Sequence, residues 1–375
     1  MQPIKVCCFC ESWESGGIES FLCSVLCRID PKRVQIDLVC ASQRESIFTQ
    51  PMKEHGIHFY ELSGSQHNLP ENYRRFQKLL EKRHYDVLHL NAFHGVSLYY
   101  LHLAKRAGVS IRIAHSHNTA LRSSRTRPLK LFVHNLAREH FTKDATDLWA
   151  CSLVAAEFLF PANKLNSFRW ISNGIEVERF RFNEAERINI RHQLGLSDAF
   201  VIGNIGRLCE QKNQIFLLDV FNEAIKRNPK ARLLLIGEGT QADALKQKAE
   251  RLGIFDKVMF YGVSKQPEKM LWAMDAFAFP SLFEGLGIAI IEAQAAGLPI
   301  ICSECIPREA YVTPLVHALP LKSGSECWAK ALLSVRQEIP RADGWRQIRD
   351  ADYGIDAVVQ KIQESYISQL FKDGK

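Results

Sequence analysis

Two cationic side chains, Arg207 and Lys212, lie in a short loop that follows an apolar run ending at Ile205. A helical pattern begins directly after the loop, so both cations stand beside a predicted helix N-terminus. Two cations in such a place can neutralise a diphosphate group without the help of a metal ion. The same residues would also fit two surface cations that simply flank the start of a helix, and this loop alone does not separate the two interpretations.

Two carboxylates, Glu284 and Glu292, form an E-x7-E pattern in the same half of the chain. Glu284 belongs to the loop Pro280-Ser-Leu-Phe-Glu-Gly-Leu-Gly287, and Glu292 lies in the helical pattern that follows. Each carboxylate can accept two hydrogen bonds from sugar hydroxyls, while Gly285 and Gly287 leave backbone N–H groups accessible to a phosphate. The pattern predicts a site for a phosphate-bearing ligand rich in hydroxyl groups. A solvated acidic pair is the alternative.

The first half of the chain holds two further candidates. Ser15-Gly16-Gly17 follows the first apolar run and opens a helix, where paired glycines let a ligand approach the backbone closely. The G-x-G-x-x-G fingerprint of dinucleotide binding is absent, and a plain tight turn is the alternative. His115 and His117 follow another apolar run. They could bind a metal ion, but a third ligand at usable spacing is missing from the sequence, and a structural role is the alternative.

The elements that must position these residues are short apolar runs that alternate with helical patterns. The runs are continuously apolar rather than alternating, which is typical of strands buried on both faces of a parallel sheet. The predicted strands are Val6–Phe9, Val34–Val39, Asp86–Leu90, Ile111–Ala114, Val201–Ile205, Arg232–Ile236, Ala276–Phe279 and Pro299–Cys302. Apolar stripes with helical spacing run from Ile18 to Ile29 and from Leu217 to Ile225. The sequence therefore predicts an α/β fold.

The alternation starts twice, once at Val6 and again at Val201, which predicts two Rossmann-like, doubly wound domains with a boundary near Asn173. We expect residues 1–172 to form the first domain and residues 173–350 the second. Residues 351–375 form a helix that returns to the first domain. Since ligands of open α/β sheets bind beyond the carboxyl ends of the strands, we expect the two domains to face each other across a cleft.

Composition narrows the class of protein. The chain has 375 residues, of which 46% are hydrophobic and 24% charged, as in ordinary globular proteins. Eleven cysteines are too few for a disulfide scaffold of this size, and no run reaches the length of a membrane span or a signal peptide. These features favour a soluble protein of a reducing compartment, which we expect to be cytoplasmic.

The net charge is +7, and residues 1–190 hold 25 basic against 19 acidic side chains. Part of this excess lies in Arg122-Ser-Ser-Arg-Thr-Arg-Pro-Leu-Lys-Leu-Phe132. Basic residues interleaved with Leu129 and Phe132 suit an anionic membrane surface or an acidic lipid acceptor, and a solvated surface segment is the alternative. Nucleic-acid binding fits less well, because the basic residues form no long run and no zinc-finger or RNP-type motif is present.

Together these motifs resemble the retaining, nucleotide-sugar-dependent glycosyltransferases of family 4, which have the two-domain GT-B fold. The motifs occur in the order of that family and run through most of the chain. They are Ser15-Gly16-Gly17, Ala114-His-Ser-His117, Ile171-Ser-Asn-Gly-Ile-Glu-Val-Glu-Arg-Phe180, Gly206-Arg-Leu with Lys212-Asn213, Leu235-Ile-Gly-Glu-Gly239, and Glu284-Gly with Glu292-Ala. The stretch Glu292-Ala-Gln-Ala-Ala-Gly-Leu-Pro is similar to bacterial members that build capsules and exopolysaccharides.

The resemblance implies roles in binding a nucleotide-sugar donor. Arg207 and Lys212 would neutralise the donor diphosphate, which becomes the leaving group. Glu284 would bind hydroxyls of the transferred sugar and Glu292 those of the ribose. Gly285, Leu286 and Gly287 would donate backbone N–H groups to the sugar and phosphate. The donor would be a UDP-sugar, the commonest choice in the resembling subset, and neither a metal ion nor another cofactor would be needed.

The resemblance also implies roles outside these loops. Gly16 and Gly17 would allow the first domain to close over the donor phosphate and the acceptor, and His117 would contact the transferred sugar. The nucleotide base would lie against the chain near Gly262 and Val263. The acceptor would be a lipid-linked saccharide, and the enzyme would work peripherally at the inner face of the cell membrane.

Some features depart from the pattern or imitate another one. Leu286 stands where many relatives carry an aromatic residue, which leaves the shape of that loop open. Asp350-Ala-Asp352 imitates the metal motif of another glycosyltransferase fold but lies away from the expected site. Cys302 and Cys305 form a C-x-x-C without a second pair at zinc-ribbon distance, so we interpret the cysteines as small buried thiols.

Two other functions stay open on the sequence. A nucleotide-sugar epimerase can use the same fold without an acceptor. A non-catalytic partner subunit is expected to lose Arg207, Lys212 or the two carboxylates, all of which are present. The leading prediction is a retaining transfer of a sugar to a lipid-linked acceptor in cell-surface polysaccharide synthesis.

Overall fold

The computed structural model describes residues 3–14, 16–44, 46–121, 126–335 and 337–372, with side chains as far as Ser368. The chain divides into two compact units. The first unit consists of Met1–Gly174 together with Ile355–Lys375, and the second of Ile175–Gly354. Each unit is built around a single parallel β-sheet, with seven strands in the first and six in the second.

The sheet of the first unit has its earliest strand near the centre. Its strands are β1 (Ile4–Trp13), β2 (Val34–Gln43), β3 (His58–Glu61), β4 (Val87–Ala92), β5 (Ile111–Ser116), β6 (Asp147–Ala150) and β7 (Arg169–Trp170). They lie in the order β3-β2-β1-β4-β5-β6-β7, and their pairings are parallel. The chain therefore leaves β1 toward one edge and returns to its other side at β4, which makes the β1/β4 boundary a topological switch point.

The connections of the first unit are helical. The helices are α1 (Gly17–Leu26), α2 (Thr49–Glu54), α3 (Leu69–Arg83), α4 (Tyr99–Arg106), α5 (Arg127–Phe141) and α6 (Leu153–Leu159). The central strand β1 is fully buried from Val6 to Phe9. A continuous apolar run is stable there because helices cover both faces of a parallel sheet.

The second unit repeats this arrangement. Its helices are α7 (Glu184–Gln193), α8 (Gln214–Arg227), α9 (Ala242–Arg251), α10 (Pro267–Ala273), α11 (Ile288–Ala295), α12 (Gly324–Ser334) and α13 (Gly344–Ile348). Its strands are β8 (Phe200–Ile205), β9 (Ala231–Ile236), β10 (Val258–Gly262), β11 (Ala276–Phe279), β12 (Ile300–Ser303) and β13 (Val316–Leu319). They lie in the parallel order β10-β9-β8-β11-β12-β13, so the switch point lies between β8 and β11.

The last helix, α14 (Ile355–Lys372), belongs to the first unit although it follows the second in the chain. Tyr366 is fully buried there, and its hydroxyl lies 2.6 Å from Nδ1 of His89 on β4. Ser365 Oγ accepts a hydrogen bond from Arg169 at 2.8 Å, and the Gln363 side chain accepts one from the backbone N–H of Asp30 at 3.0 Å. The helix therefore completes the core of the first unit.

The predicted fold class is confirmed, since two doubly wound parallel α/β domains are present. The predicted strands correspond to β1, β2, β4, β5, β8, β9, β11 and β12, with ends that differ by a few residues. β3, β6, β7, β10 and β13 were not among them. Four of them, β3, β6, β7 and β13, contain a charged or imidazole side chain that interrupts the apolar pattern. β10 is continuously apolar, and the sequence analysis missed it.

Candidate active site

The switch point of the second sheet brings together the loops that follow β8 and β11. The two strands pair directly, with Ile202 opposite Ala276. Beyond the strands, Leu282 donates its backbone N–H to the carbonyl of Gln211 at 2.8 Å, and the Gln211 side chain donates to the carbonyl of Phe283 at 2.9 Å. These reciprocal bonds hold the two loops side by side, so the side chains that they carry are neighbours.

Lys212 and Glu284 meet between these loops. Their charged atoms, Nζ and Oε1, are 2.6 Å apart, and the side chains are only 15% and 6% exposed. The ammonium group also lies 5.2 Å from the centre of the Phe279 ring, and the lysine stem runs along Gly206, where a Cβ atom would lie 3.4 Å from it. A charged pair buried this far has fixed geometry, so the cation and the carboxylate form one structural unit.

Arg207 lies one position beyond Gly206 and is partly exposed. Its backbone carbonyl accepts a hydrogen bond from the buried side chain of Gln214 at 3.0 Å, and the same amide reaches Asn204 at 3.2 Å. Within the part of the chain that the structure describes, the Arg207 guanidinium has no ion-pair partner. A fixed backbone and an unneutralised guanidinium together suit the binding of an anion.

The loop after β9 packs its backbone against the loop after β8. Gly206 and Leu208 donate their N–H groups to the carbonyls of Ile236 and Glu238 at 2.9 and 2.8 Å. Gly237 has a φ of +133°, and a Cβ atom there would lie 2.1 Å from the Gly206 carbonyl oxygen. A side chain at this position would therefore force the loops apart. In the sequence, Leu235-Ile-Gly-Glu-Gly239 is only one of the motifs that resemble family 4. The structure shows why Gly237 must be a glycine, since the two loop backbones are in contact there.

The loop from Gly285 to Gly287 leads into α11. Gly287 is the N-cap residue with φ +88°, a left-handed conformation, and a Cβ atom there would lie 3.0 Å from the Phe279 ring. Leu286 is 1% exposed, so its side chain belongs to the core while its backbone belongs to the loop. Glu284 precedes this turn, and Glu292 lies one turn into α11, where it is partly buried.

Burial raises the pKa of Glu292 to about 7, an effect that Arg179 opposes and Glu268 reinforces. Arg179 lies in the turn Val177–Phe180. It donates from Nε to Glu268 at 2.9 Å and from Nη2 to the carbonyl of Lys265 at 2.8 Å. Sequence reasoning gave neither Arg179 nor Glu268 a role. Arg179 belongs to the motif that runs from Ile171 to Phe180. It lies 89 positions before Glu268, so no short sequence pattern indicates that the two side chains pair.

Gly262 and Val263 follow β10 at the same edge of the sheet. The Gly262 carbonyl accepts a hydrogen bond from the backbone of Gly237 at 2.8 Å, and Val263 is 37% exposed. Val263 also lines a cavity of about 450 Å³, together with residues of α7 and α10. Arg207, Lys212, Glu284 and Glu292 are not part of its lining, so this cavity is separate from the charged pair.

The remaining candidates lie in the first unit. His117, directly after β5, is 7% exposed, and its Nε2 shares a hydrogen bond with the Asn91 side chain at 3.0 Å. The His115 ring lies 3.9 Å from the His117 ring, and His115 Nδ1 lies 3.0 Å from Nε2 of His89. Burial lowers the pKa of His117 to about 3, an effect that hydrogen bonding with Asn173 opposes, so the imidazole is neutral at physiological pH.

Gly16 and Gly17 open α1, with Gly16 as its N-cap residue in an extended conformation. A Cβ atom at Gly16 would lie 2.6 Å from a carboxylate oxygen of Glu19, which is itself buried. The glycine therefore leaves space for an acidic side chain of the first helical turn. Ser15 of the same motif lies outside the described residues, as do Arg122 and Arg125 of the basic segment.

In the part of the chain that the structure describes, no group of three or more His, Cys, Asp or Glu side chains is placed to hold a metal ion. The Asp350-Ala-Asp352 motif lies at a kink where Asp352 has a left-handed φ of +61°, and Asp350 pairs with the adjacent Arg349. The interpretation of buried thiols is confirmed for Cys7, Cys8, Cys10 and Cys302 and is wrong for Cys305, which is exposed.

Two family models match the chain. The model described as Glycosyltransferase Family 4 matches residues 15–179, and the model described as Glycosyl transferases group 1 matches residues 186–341. The first match lies in the first unit except for its last five residues, and the second match lies within the second unit.

Curated relatives carry the same kind of name. The chain is 27% identical over 325 residues to EpsF of Bacillus subtilis, a protein named as a glycosyltransferase, and the match covers 84% of each chain. It is 29% identical over 240 residues to the UDP-Gal:alpha-D-GlcNAc-diphosphoundecaprenol alpha-1,3-galactosyltransferase of Escherichia coli. That match covers 60% of this chain and 59% of the relative.

Solved structures share the fold across the whole chain. HepE of Anabaena in complex with UDP-glucose matches with a TM-score of 0.80 at 19% identity, covering 97% of this chain and all of HepE. WaaG, a glycosyltransferase involved in lipopolysaccharide biosynthesis, matches with a TM-score of 0.75 at 14% identity, over 96% of this chain and 99% of WaaG. At such identities the likeness concerns the fold.

Proposed function

We propose that this chain, a glycosyltransferase with the two-domain GT-B fold, transfers a sugar residue from a UDP-sugar to a lipid-linked saccharide. We place the reaction in the synthesis of a cell-surface polysaccharide. The observation that carries the proposal is the buried contact of 2.6 Å between Lys212 and Glu284 at the switch point of the second sheet. It brings a group suited to phosphate next to a group suited to sugar hydroxyls.

The donor diphosphate would bind between Arg207 and Lys212, whose loop ends at the N-terminus of α8. Glu284 would accept hydrogen bonds from hydroxyls of the transferred sugar, and the backbone from Gly285 to Gly287 would donate to the sugar and phosphate. Glu292 would accept hydrogen bonds from the ribose. The base would lie near Gly262 and Val263, whose strand β10 ends at the same sheet edge.

Catalysis would rest on charge. As the bond between the anomeric carbon and the diphosphate breaks, negative charge grows on the departing oxygen, and Arg207 and Lys212 stabilise it from fixed positions. The acceptor hydroxyl attacks the same face of the sugar, and its proton passes to the departing phosphate oxygen. The configuration of the anomeric carbon is then retained, and the protein needs neither a nucleophile nor a metal ion. Glu284 and Glu292 consequently serve binding and do not form a glycosidase pair.

The first unit would hold the acceptor. Gly16, Gly17 and His117 are the residues of this unit that we propose to bind the sugar substrates. The neutral state of His117 fits this role, because Nε2 donates to the Asn91 side-chain oxygen and Nδ1 can then accept a hydrogen bond from a hydroxyl. Its bond to Asn91 fixes the ring in one orientation.

Relatives support the choice of donor and acceptor. HepE binds UDP-glucose, as its structure records, and the Escherichia coli relative is named for a UDP-galactose donor and a diphosphoundecaprenol-linked acceptor. None of the described helices is long and apolar enough to cross a membrane. We therefore propose a peripheral position at the inner face of the cell membrane, where both the sugar nucleotide and the lipid-linked acceptor are accessible.

The proposal is tested with purified protein and radiolabelled UDP-, GDP- and ADP-hexoses, with and without a diphosphoundecaprenol-linked N-acetylglucosamine acceptor. We expect UDP-sugars to raise the melting temperature, since a ligand at 100 times its Kd adds about 2.7 kcal/mol. We also expect label to enter the lipid fraction with retained configuration. Conversion of the donor alone into another sugar nucleotide would instead identify an epimerase. The absence of both reactions, with donor bound, would favour a non-catalytic subunit.

A further inference from the structure

An apolar stripe is exposed on helix α5 of the first unit. Leu129, Phe132, Val133 and Leu136 are 64%, 60%, 42% and 56% exposed. Their spacing of i, i+3, i+4 and i+7 places them on one face of the helix. Eleven large apolar side chains are exposed among the described residues, and four of them lie on this single helix. Such a concentration marks an interaction surface.

The stripe is not the face by which α5 attaches to its own domain. His134 and Ala137 are buried on another side of the helix. His134 accepts a hydrogen bond from the backbone of Gly95 at 2.9 Å, and its Nε2 lies 2.9 Å from the carbonyl of Phe158. The helix backbone comes so close that a Cβ atom at Gly95 would lie 2.2 Å from the His134 carbonyl oxygen. Attachment through a histidine and an alanine leaves the large apolar groups turned outward.

The charges on α5 favour a negatively charged binding partner for the apolar stripe. The helix carries three basic residues and one acidic residue, Glu139, which lies 3.9 Å from Arg138 at the far end of the helix. Arg127 and Lys130 are exposed beside the start of the stripe. A second copy of this positively charged helix would be repelled. A surface that combines negative charge with an apolar interior would satisfy both the cations and the stripe, and an anionic lipid bilayer has this combination.

We infer that the apolar stripe of α5 docks the first unit on an anionic membrane, with Leu129, Phe132, Val133 and Leu136 entering the interfacial region and Arg127 and Lys130 contacting lipid phosphates. The helix then lies parallel to the membrane plane. The inference rests on the proposed function in one respect, because a lipid-linked acceptor requires the enzyme at a membrane. The docking itself requires neither donor nor acceptor.

The experiment measures sedimentation of the full chain with vesicles of phosphatidylglycerol and phosphatidylcholine, at low and high salt, without substrates. We expect binding that falls with salt, since exposed charges are screened. The variant Leu129→Ser/Phe132→Ser/Leu136→Ser should lose at least tenfold in vesicle affinity. Ile188→Ser/Phe255→Ser, which removes two exposed apolar groups of the second unit, is the matched control and should bind like the wild type.

Two further measurements separate the possible outcomes. Phe132→Trp should shift its fluorescence to shorter wavelength when anionic vesicles are added. The triple variant should keep its circular dichroism spectrum and its transfer rate to a water-soluble acceptor. Failure of transfer with intact vesicle binding would count against the proposed function alone. Equal vesicle binding by the triple variant and the wild type would overturn the docking surface. So would a wild type that forms dimers, ignores vesicles and becomes monomeric in the triple variant.

Discussion

The contact between Lys212 and Glu284 makes a quantitative prediction about stability. Replacing Lys212 by Met leaves the Glu284 carboxylate almost fully buried without its cation, since that side chain is 6% exposed. Removing one partner of a buried ion pair costs about 3–5 kcal/mol. The unit that contains the pair spans 180 residues, and a domain of this size loses about 2–4 °C of melting temperature for each kcal/mol. We therefore expect Lys212→Met to lower the melting temperature by about 6–20 °C.

The double variant Lys212→Met/Glu284→Gln removes both charges and should be more stable than Lys212→Met. Replacing both members of a buried pair by neutral groups is often close to neutral. The double variant should therefore be destabilised by at least about 3 kcal/mol less than the sum of the two single variants. Urea unfolding of the wild type, both single variants and the double variant measures this coupling. The two variants that lack Lys212 should also lose about 10²–10³-fold in kcat, because a group that stabilises the transition state is missing.

A second pair in the same unit provides the matched control. Lys226 and Glu223 are also 2.6 Å apart, but their side chains are 59% and 26% exposed. Exposed pairs contribute about 0.2–1 kcal/mol, so the cycle Lys226→Met/Glu223→Gln should show weak coupling that falls further in high salt. If the effects of Lys212→Met and Glu284→Gln simply add, the two groups do not form a buried unit, and the basis of the proposed donor site is removed.

Three other regions make separate predictions. Arg207→Ala should lower kcat about 10²–10³-fold while leaving the melting temperature unchanged, because the guanidinium holds no ion pair in the described chain; near-normal turnover would refute its role. The neutral form of Glu292 is favoured in the fold, with the pKa raised to about 7, so this group stabilises the protein at low pH and the contribution is lost as the pH rises through 7. Glu292→Gln should therefore match the wild type below about pH 4 and exceed its unfolding free energy by about 3 kcal/mol at pH 8, whereas an equal difference at both pH values would contradict the burial of this carboxylate. Burial lowers the pKa values of His89 and His117 to about 3, so their contribution to stability is present above pH 6.5 and is lost as the pH falls toward 3; an NMR titration that finds either ring protonated near pH 6 would oppose this. Alkylation of the partly exposed Cys209 thiol should block donor binding, and Cys209→Ser should be insensitive to the reagent; full donor binding by the alkylated protein would show that the thiol lies outside the site.

The strands that consist of continuous apolar runs could be predicted from the sequence. The central strands β1, β8 and β11 are buried on both faces, and their runs identified them. The proximity of Lys212 and Glu284 was also accessible, because residues after neighbouring parallel strands meet at one sheet edge. A two-residue strand such as β7 has no periodicity to detect.

Other parts of the site depend on contacts between distant segments. Arg179 pairs with Glu268, which lies 89 positions further along the chain. The raised pKa of Glu292 comes mainly from its burial in the folded unit, which no short stretch of sequence shows. The exposed stripe of α5 was visible as apolar residues among basic ones, but its outward direction follows from His134 and Ala137 packing on the domain. Sequence periodicity shows that a helix has an apolar face and does not show which way that face is turned.

The position of α14 has a consequence for biosynthesis. Helix α14, which packs on the first sheet, is translated only after the 180 residues of the second unit. At about 5–20 residues per second, this delays the completion of the first unit by about 9–36 s. During that interval His89 on β4 has not yet met the Tyr366 hydroxyl that it contacts at 2.6 Å in the finished protein. The unit that emerges first is therefore finished last, and nascent chains stalled before α14 should expose the uncovered side of the first core to chaperones.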